Sequence, residues 1–66
     1  MQVKINGAMD EIPDDASIGD VLVARELSLA IVVIVLNGEI IKREKWASLK
    51  LKSDDDLELI RIIGGG

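Results

Sequence analysis

The chain ends in Gly64-Gly65-Gly66, and the carboxylate on Gly66 is the group best placed to react. Glycine carries no side chain and loses more backbone entropy on ordering than any other residue. Three in a row make a slim, mobile tail that reaches roughly 10 Å when fully extended. That is enough to carry a carboxylate off the body of a domain into another protein's cleft. A terminal carboxyl titrates near about 3.5, so it is ionised and inert at neutral pH until something activates it. A frayed end or a purification scar would also leave such glycines, so the tail takes its meaning from the rest of the chain.

Other reactive groups are scarce. With no His and no Cys, the usual general base and the usual thiolate are both missing. Asp54-Asp55-Asp56 invites a calcium or magnesium reading. Calcium, however, needs 6–8 oxygens from a loop that wraps the ion. Three consecutive acids wrap nothing, and Asp tolerates left-handed backbone, so this run reads as a turn. A zinc site built from carboxylates alone is uncommon. No metal site and no catalytic side chain are expected, since acid–base work would fall to surface carboxylates. The net charge of −4 and pI of about 4.5 exclude ordinary nucleic-acid binding, which needs a basic patch. An acidic protein that docks on basic partners fits better. The longest apolar run, residues 29–36, is far short of the roughly 20 residues of a membrane span. No basic, then apolar, stretch opens the chain, so no membrane or secretory role is expected and the default location is the cytoplasm.

The strand before the tail must position it. Across residues 57–63, Leu57, Leu59 and Ile63 share one face, and Glu58, Ile60 and Ile62 share the other. Arg61 interrupts the first. Aliphatic residues on both faces predict an inner strand with neighbours on either side. Upstream, residues 2–6 alternate as a strand with Val3 and Ile5 on one side. Asn6-Gly7 is a type I′ hairpin signal. Residues 9–12 return as a short edge strand guarded by Asp10 and Glu11, and Pro13 closes it.

Ser17 reads as a helix N-cap, with Asp20 three residues on as a weaker form of the capping box. Ile18, Val21, Leu22 and Arg25 follow helical spacing, while Gly19 weakens the first turn. The helix is predicted to end near Leu27 or Ser28. Residues 31–36 form the clearest strand, covered on both faces or nearly so. Asn37-Gly38 makes the second hairpin turn, and residues 39–41 return. Lys42, Arg43, Glu44 and Lys45 form an exposed charged segment. Trp46, Ala47 and Leu49 are expected to tuck a loop or 3₁₀ turn onto the core, with Leu51 continuing it. Trp46 reads first as a core plug and second as a partner anchor.

The order is two strands, a helix, two strands, a loop and a last strand. One helix crossing a small mixed sheet of four to five strands is the ubiquitin-like β-grasp arrangement, an α+β fold. Its first and last strands are central and parallel, the one place where a crossover is required. The chain is then one domain over residues 1–63 with a flexible tail over 64–66. A chain this short buries only about 60% of its unfolded surface, and with Trp46 its only aromatic residue the core must come from Val, Ile and Leu.

Several blocks together carry a resemblance. They are Val3-Lys4-Ile5-Asn6-Gly7, Pro13-Asp14, Ser17-Ile18-Gly19-Asp20-Val21-Leu22, residues 33–41, and residues 56–66 with their glycine ending. With these the chain resembles the ThiS family, ubiquitin-like sulfur carrier proteins of thiamine biosynthesis, over almost its whole length. Family members commonly have glycine where Asp55 and Asp15 stand and a proline near Lys42. Those departures fall in turns.

The resemblance implies a carrier that is not itself an enzyme and binds no cofactor. An E1-like (ThiF-like) adenylating enzyme, using ATP and Mg²⁺, would activate Gly66. A sulfur donor such as a cysteine desulfurase would supply the sulfur for a thiocarboxylate. A ThiG-like thiazole synthase would receive it. Gly64 and Gly65 would give clearance in a narrow channel. Partners would dock on Leu59, Ile60, Arg61, Ile62 and Ile63 beside the tail. Core packing is the competing role for those side chains. The lone chain is expected to be a monomer. A sister carrier for molybdopterin or tRNA thiolation shares the same tail chemistry, and a ubiquitin-like modifier or binding module is the alternative of a different class.

Overall fold

Each Asn-Gly pair turns the chain through two successive left-handed residues. In a computed structural model, which describes residues 1–27 and 31–62, Asn6 (φ 52°) and Gly7 (φ 86°) join β1 (Gln2–Ile5) to β2 (Ala8–Glu11). Asn37 (φ 51°) and Gly38 (φ 84°) join β3 (Val32–Leu36) to β4 (Glu39–Ile41). Positive φ at both turn positions defines the type I′ hairpin, whose twist matches that of the strands it connects. The last strand, β5 (Asp56–Arg61), lies between the two hairpins, giving the order β2-β1-β5-β3-β4. β1 and β5 run parallel; β5 meets β3 antiparallel with Ile34 opposite Leu59. The helix α1 (Ile18–Ala24) supplies the crossover that the parallel pair needs. This is the expected β-grasp, with five strands and β1 and β5 neighbours inside the sheet.

One face of the sheet makes the core. Val3, Ile5, Ile34, Leu57 and Leu59 meet Ile18, Val21 and Leu22 of α1 in one apolar cluster. Burying each such aliphatic side chain contributes about 1.5–3 kcal/mol. At the outer edge all four residues of β2 are exposed. Its Asp10 carboxylate accepts a hydrogen bond from Arg25 at 2.9 Å, so this edge carries charge as expected.

The helix start is a complete capping box. The Asp20 N–H donates to Ser17 Oγ at 3.1 Å, and the Ser17 N–H donates to Asp20 Oδ2 at 2.9 Å. The Ser17 backbone N–H and then its hydroxyl hold the Asp20 carboxyl below its ordinary value; desolvation opposes them, and the charge of Lys50 adds the least. The helix stops at Ala24, short of the predicted Leu27 or Ser28. Its end is a Schellman motif: the Leu27 N–H donates to the Leu22 carbonyl at 2.8 Å and the Glu26 N–H to that of Val23 at 3.0 Å. Glu26 takes the left-handed position at φ 60°, and Leu27 folds back to pack against the core. Gly19 lies in the first turn, where its N–H donates to the Trp46 carbonyl at 3.0 Å.

The 3₁₀ turn falls at Arg43–Lys45, within the charged segment and ahead of the predicted position. Trp46 follows half-buried, packs on the core, and donates its Nε1–H to the Ile41 carbonyl at 3.0 Å. That geometry supports the core-plug role. Leu49 is also half-buried and Leu51 is buried, whereas Ala47 is exposed and takes no part in the core. The segment is tied to the helix start by the Ile18 N–H on the Leu49 carbonyl (3.2 Å) and the Leu51 N–H on that of Ala16 (2.9 Å). The acidic run is a turn only at its start: Asp54 lies in the turn, whereas Asp56, expected there as well, already opens β5. The left-handed residue is Asp54 (φ 69°), not Asp55, whose carboxylate accepts the Lys52 N–H at 2.8 Å.

Candidate functional site at the end of β5

Two side chains from the hairpin turns hold β5. β1 stops at Ile5, so the β5 amide at Leu59 has no strand beside it; the Asn6 side chain replaces one, accepting that N–H on Oδ1 at 2.8 Å. On the other side Asn37 Oδ1 accepts the Asp56 N–H at 2.9 Å, and its Nδ2–H donates to Asp55 Oδ1 at 3.0 Å. The same two asparagines thus make the left-handed turns and fix the strand between them. Beyond β5, the Ile62 N–H donates to the Ile31 carbonyl at 2.9 Å, which carries the pairing on to the last described residue.

Alternation then sorts the expected docking residues. Leu59 is 8% exposed and belongs to the core, so it offers no surface to a partner, contrary to its place among them. Ile60 and Ile62 are 44% and 48% exposed, which removes the core-packing role for both. Arg61 shares the parity of Leu59 but is exposed at the strand's end. Ile63, Gly64, Gly65 and Gly66 lie outside the described residues.

Ile60 and Ile62 belong to a larger apolar face that the strand-by-strand reading missed. Val33 stands opposite Ile60, and Val35 opposite both Glu58 and Ile40. Val33 and Val35 are half-buried and Ile40 is 69% exposed. So β3 is covered on one face only, against the expectation of cover on both. A signal for this was present in the sequence. One helix can cover one face of a sheet, so a second aliphatic face has to be open. The residue pairings needed to locate Ile40 on it come from the hairpin register.

The site offers little chemistry of its own. Glu58 and Arg61 are the only ionisable side chains between Leu57 and Ile62, and no group of three or more His, Cys, Asp or Glu able to hold a metal occurs among the described residues. No helix of the described residues is long and apolar enough to cross a membrane. What the arrangement provides is a well-anchored strand, an apolar face beside its end, and the glycines that follow in sequence.

Comparison with known proteins bears on the same features. A family model described as the ThiS family matches residues 3–66. The sulfur carrier protein ThiS of Bacillus subtilis (strain 168) is 34% identical over 53 residues, 80% of each chain. A crystal structure of a thiamine biosynthesis protein (ThiS) from Geobacter metallireducens superposes with a TM-score of 0.84 at 28% identity and full coverage of both chains. A solution structure of a thiamine biosynthesis protein from that organism gives a TM-score of 0.81 at 26% identity, covering all of this chain and 88% of the other.

Proposed function

The chain belongs to the ThiS family, and from that membership we propose that it is a sulfur carrier of thiamine biosynthesis whose terminal glycine bears the sulfur. The observation that carries this reading is the family match running through residue 66, and so through the glycines. The residue inventory supports it, since a carrier needs no His or Cys of its own.

The chemistry follows from the carboxylate. An adenylating enzyme joins Gly66 to AMP, using ATP and Mg²⁺ and releasing pyrophosphate. The acyl carbon then carries a good leaving group. A sulfide equivalent from the donor attacks that carbon, a C–S bond forms, the C–O bond to AMP breaks, and a thiocarboxylate remains. This anion is soft and nucleophilic, and it passes its sulfur to a thiazole synthase. Gly64 and Gly65 let the end enter a channel too narrow for side chains. The carrier holds no cofactor, and its work belongs in the cytoplasm beside these enzymes. Partners dock on Ile60, Arg61 and Ile62 and on Ile63 next to them, with Val33 and Ile40 extending the apolar contact.

The test is intact-protein mass spectrometry after incubation with ATP, Mg²⁺, sulfide and the adenylating enzyme of the same organism. A mass gain equal to one oxygen replaced by sulfur, mapped to Gly66 and lost on deleting that residue, is expected. An unchanged mass with a demonstrably active enzyme would overturn the proposal. An amide bond from Gly66 to a lysine would instead identify a ubiquitin-like modifier.

A further inference from the structure

Where β4 stops, the sheet has a gap. The pairing of β3 with β4 runs from Leu36 opposite Glu39 to Ile34 opposite Ile41 and ends there. Lys42 then leads the chain off into the 3₁₀ turn. β3 continues toward Ile31 with β5 still paired on its other side. The Ile62 N–H on the Ile31 carbonyl and the Asn37 N–H on that of Asp56 fix which way the backbone faces. Odd-numbered residues of this stretch aim their hydrogen-bonding groups at β5, and even-numbered ones aim away. Val32 therefore turns its N–H and C=O toward the gap, and no backbone partner meets them there among the described residues.

The gap is a hollow of about 270 Å³ walled chiefly by Ile31, Val32, Ile40, Ile41, Arg43 and Trp46. Ile31 and Ile40 are exposed, and the Arg43 guanidinium stands 5.6 Å from the centre of the Trp46 ring. A second hollow shares Ile40 and Ile41 and is walled by Lys42, Lys45, Leu49 and one acid, Glu39. Residues 42–52 hold five of the eight cationic residues and one of the twelve acidic ones. The ion pairs of the described residues, Met1 with Asp14 and Arg25 with Asp10, use none of those five cations. An open strand edge, an apolar floor and a cationic wall thus meet on an otherwise acidic molecule.

We infer that this gap is a docking site for an extended segment of a partner protein whose aliphatic side chains are flanked by carboxylates. The segment adds as a strand at Val32, seats an aliphatic side chain against Ile31 and Ile40, and sets its acids against Lys42, Arg43 and Lys45. A second copy fits less well. The acidic edge strand β2 offers a single large apolar residue, Met9, and its Asp10 is already held by Arg25. This inference does not depend on the sulfur chemistry at Gly66.

The experiment is an amide NMR titration of the full chain with a short synthetic peptide of valines and isoleucines flanked by glutamates. Expected are shifts at residues 31–33, at Ile40 and at the Trp46 indole N–H. Arg43→Glu should weaken binding by about tenfold or more, and added salt should weaken it further. Ile40→Ser tests the apolar floor, and its unshifted amides elsewhere report that it is folded. Equal binding by a lysine-flanked peptide would overturn the inference. So would shifts confined to Ile60 and Glu58, or shifts that grow with protein concentration alone and so report a second copy.

Discussion

At Asn6 the left-handed backbone and the side-chain carbonyl are used together: one turns β1 into β2, the other accepts the Leu59 N–H. Asn6→Gly keeps the turn and removes the acceptor, which should cost about 1–2 kcal/mol in a chemical denaturation curve. Asn6→Asp keeps both an acceptor and tolerance of positive φ, so it should lie closer to the parent. Glu26 is the opposite case, a long side chain in a position that suits glycine. Glu26→Gly should raise stability by about 0.5–1 kcal/mol, read as a higher Tm. Both Asn-Gly turns are legible in the sequence because the residue pair itself demands positive φ. The helix end is not, because no glycine or asparagine marks it. Glu26 takes the left-handed position where Leu27 turns back onto the core, which is a tertiary cause.

Among the elements, α1 is fixed at its start by sequence-local chemistry and at its end by packing. Its start has a pH signature. The Asp20 carboxyl is held below its ordinary value of 3.8, so the folded state favours the ionised form. The contribution is full above about pH 4 and is lost as pH falls through the lower, folded value. Asp20→Asn should therefore lower Tm at neutral pH. The gap between the two proteins should narrow below about pH 4 in thermal melts followed by circular dichroism. β5 shows the limit of alternation as a guide. Its period-two pattern separates Leu57 and Leu59 from Ile60 and Ile62, but which set is buried depends on the side of the sheet that α1 covers. The 3₁₀ turn at Arg43–Lys45 carries no periodic apolar signal at all, so only Trp46 and Leu49 advertise that this loop reaches the core.

For the whole molecule, one helix on a five-stranded sheet leaves an aliphatic face open, and the partners proposed above would use it. Ile60→Ser with Ile62→Ser should reduce affinity for the adenylating enzyme by about tenfold or more while leaving Tm within a few degrees, measured by calorimetric titration and melting. A large loss of Tm with affinity retained would return both residues to the core. The parallel contact between β1 and β5 has a mechanical consequence. Lys4 and Asn6 donate their N–H groups to the Asp55 and Leu57 carbonyls, and Asn6 Oδ1 takes the Leu59 N–H. A load applied to the start of β1 and the end of β5 drags these strands past each other, so the bonds share the force and must break together. The same load on a hairpin such as β3–β4 would open its bonds one after another. The fold thus resists a load along the axis that runs out through the end of β5, and force spectroscopy on Asn6→Gly should show that resistance falling.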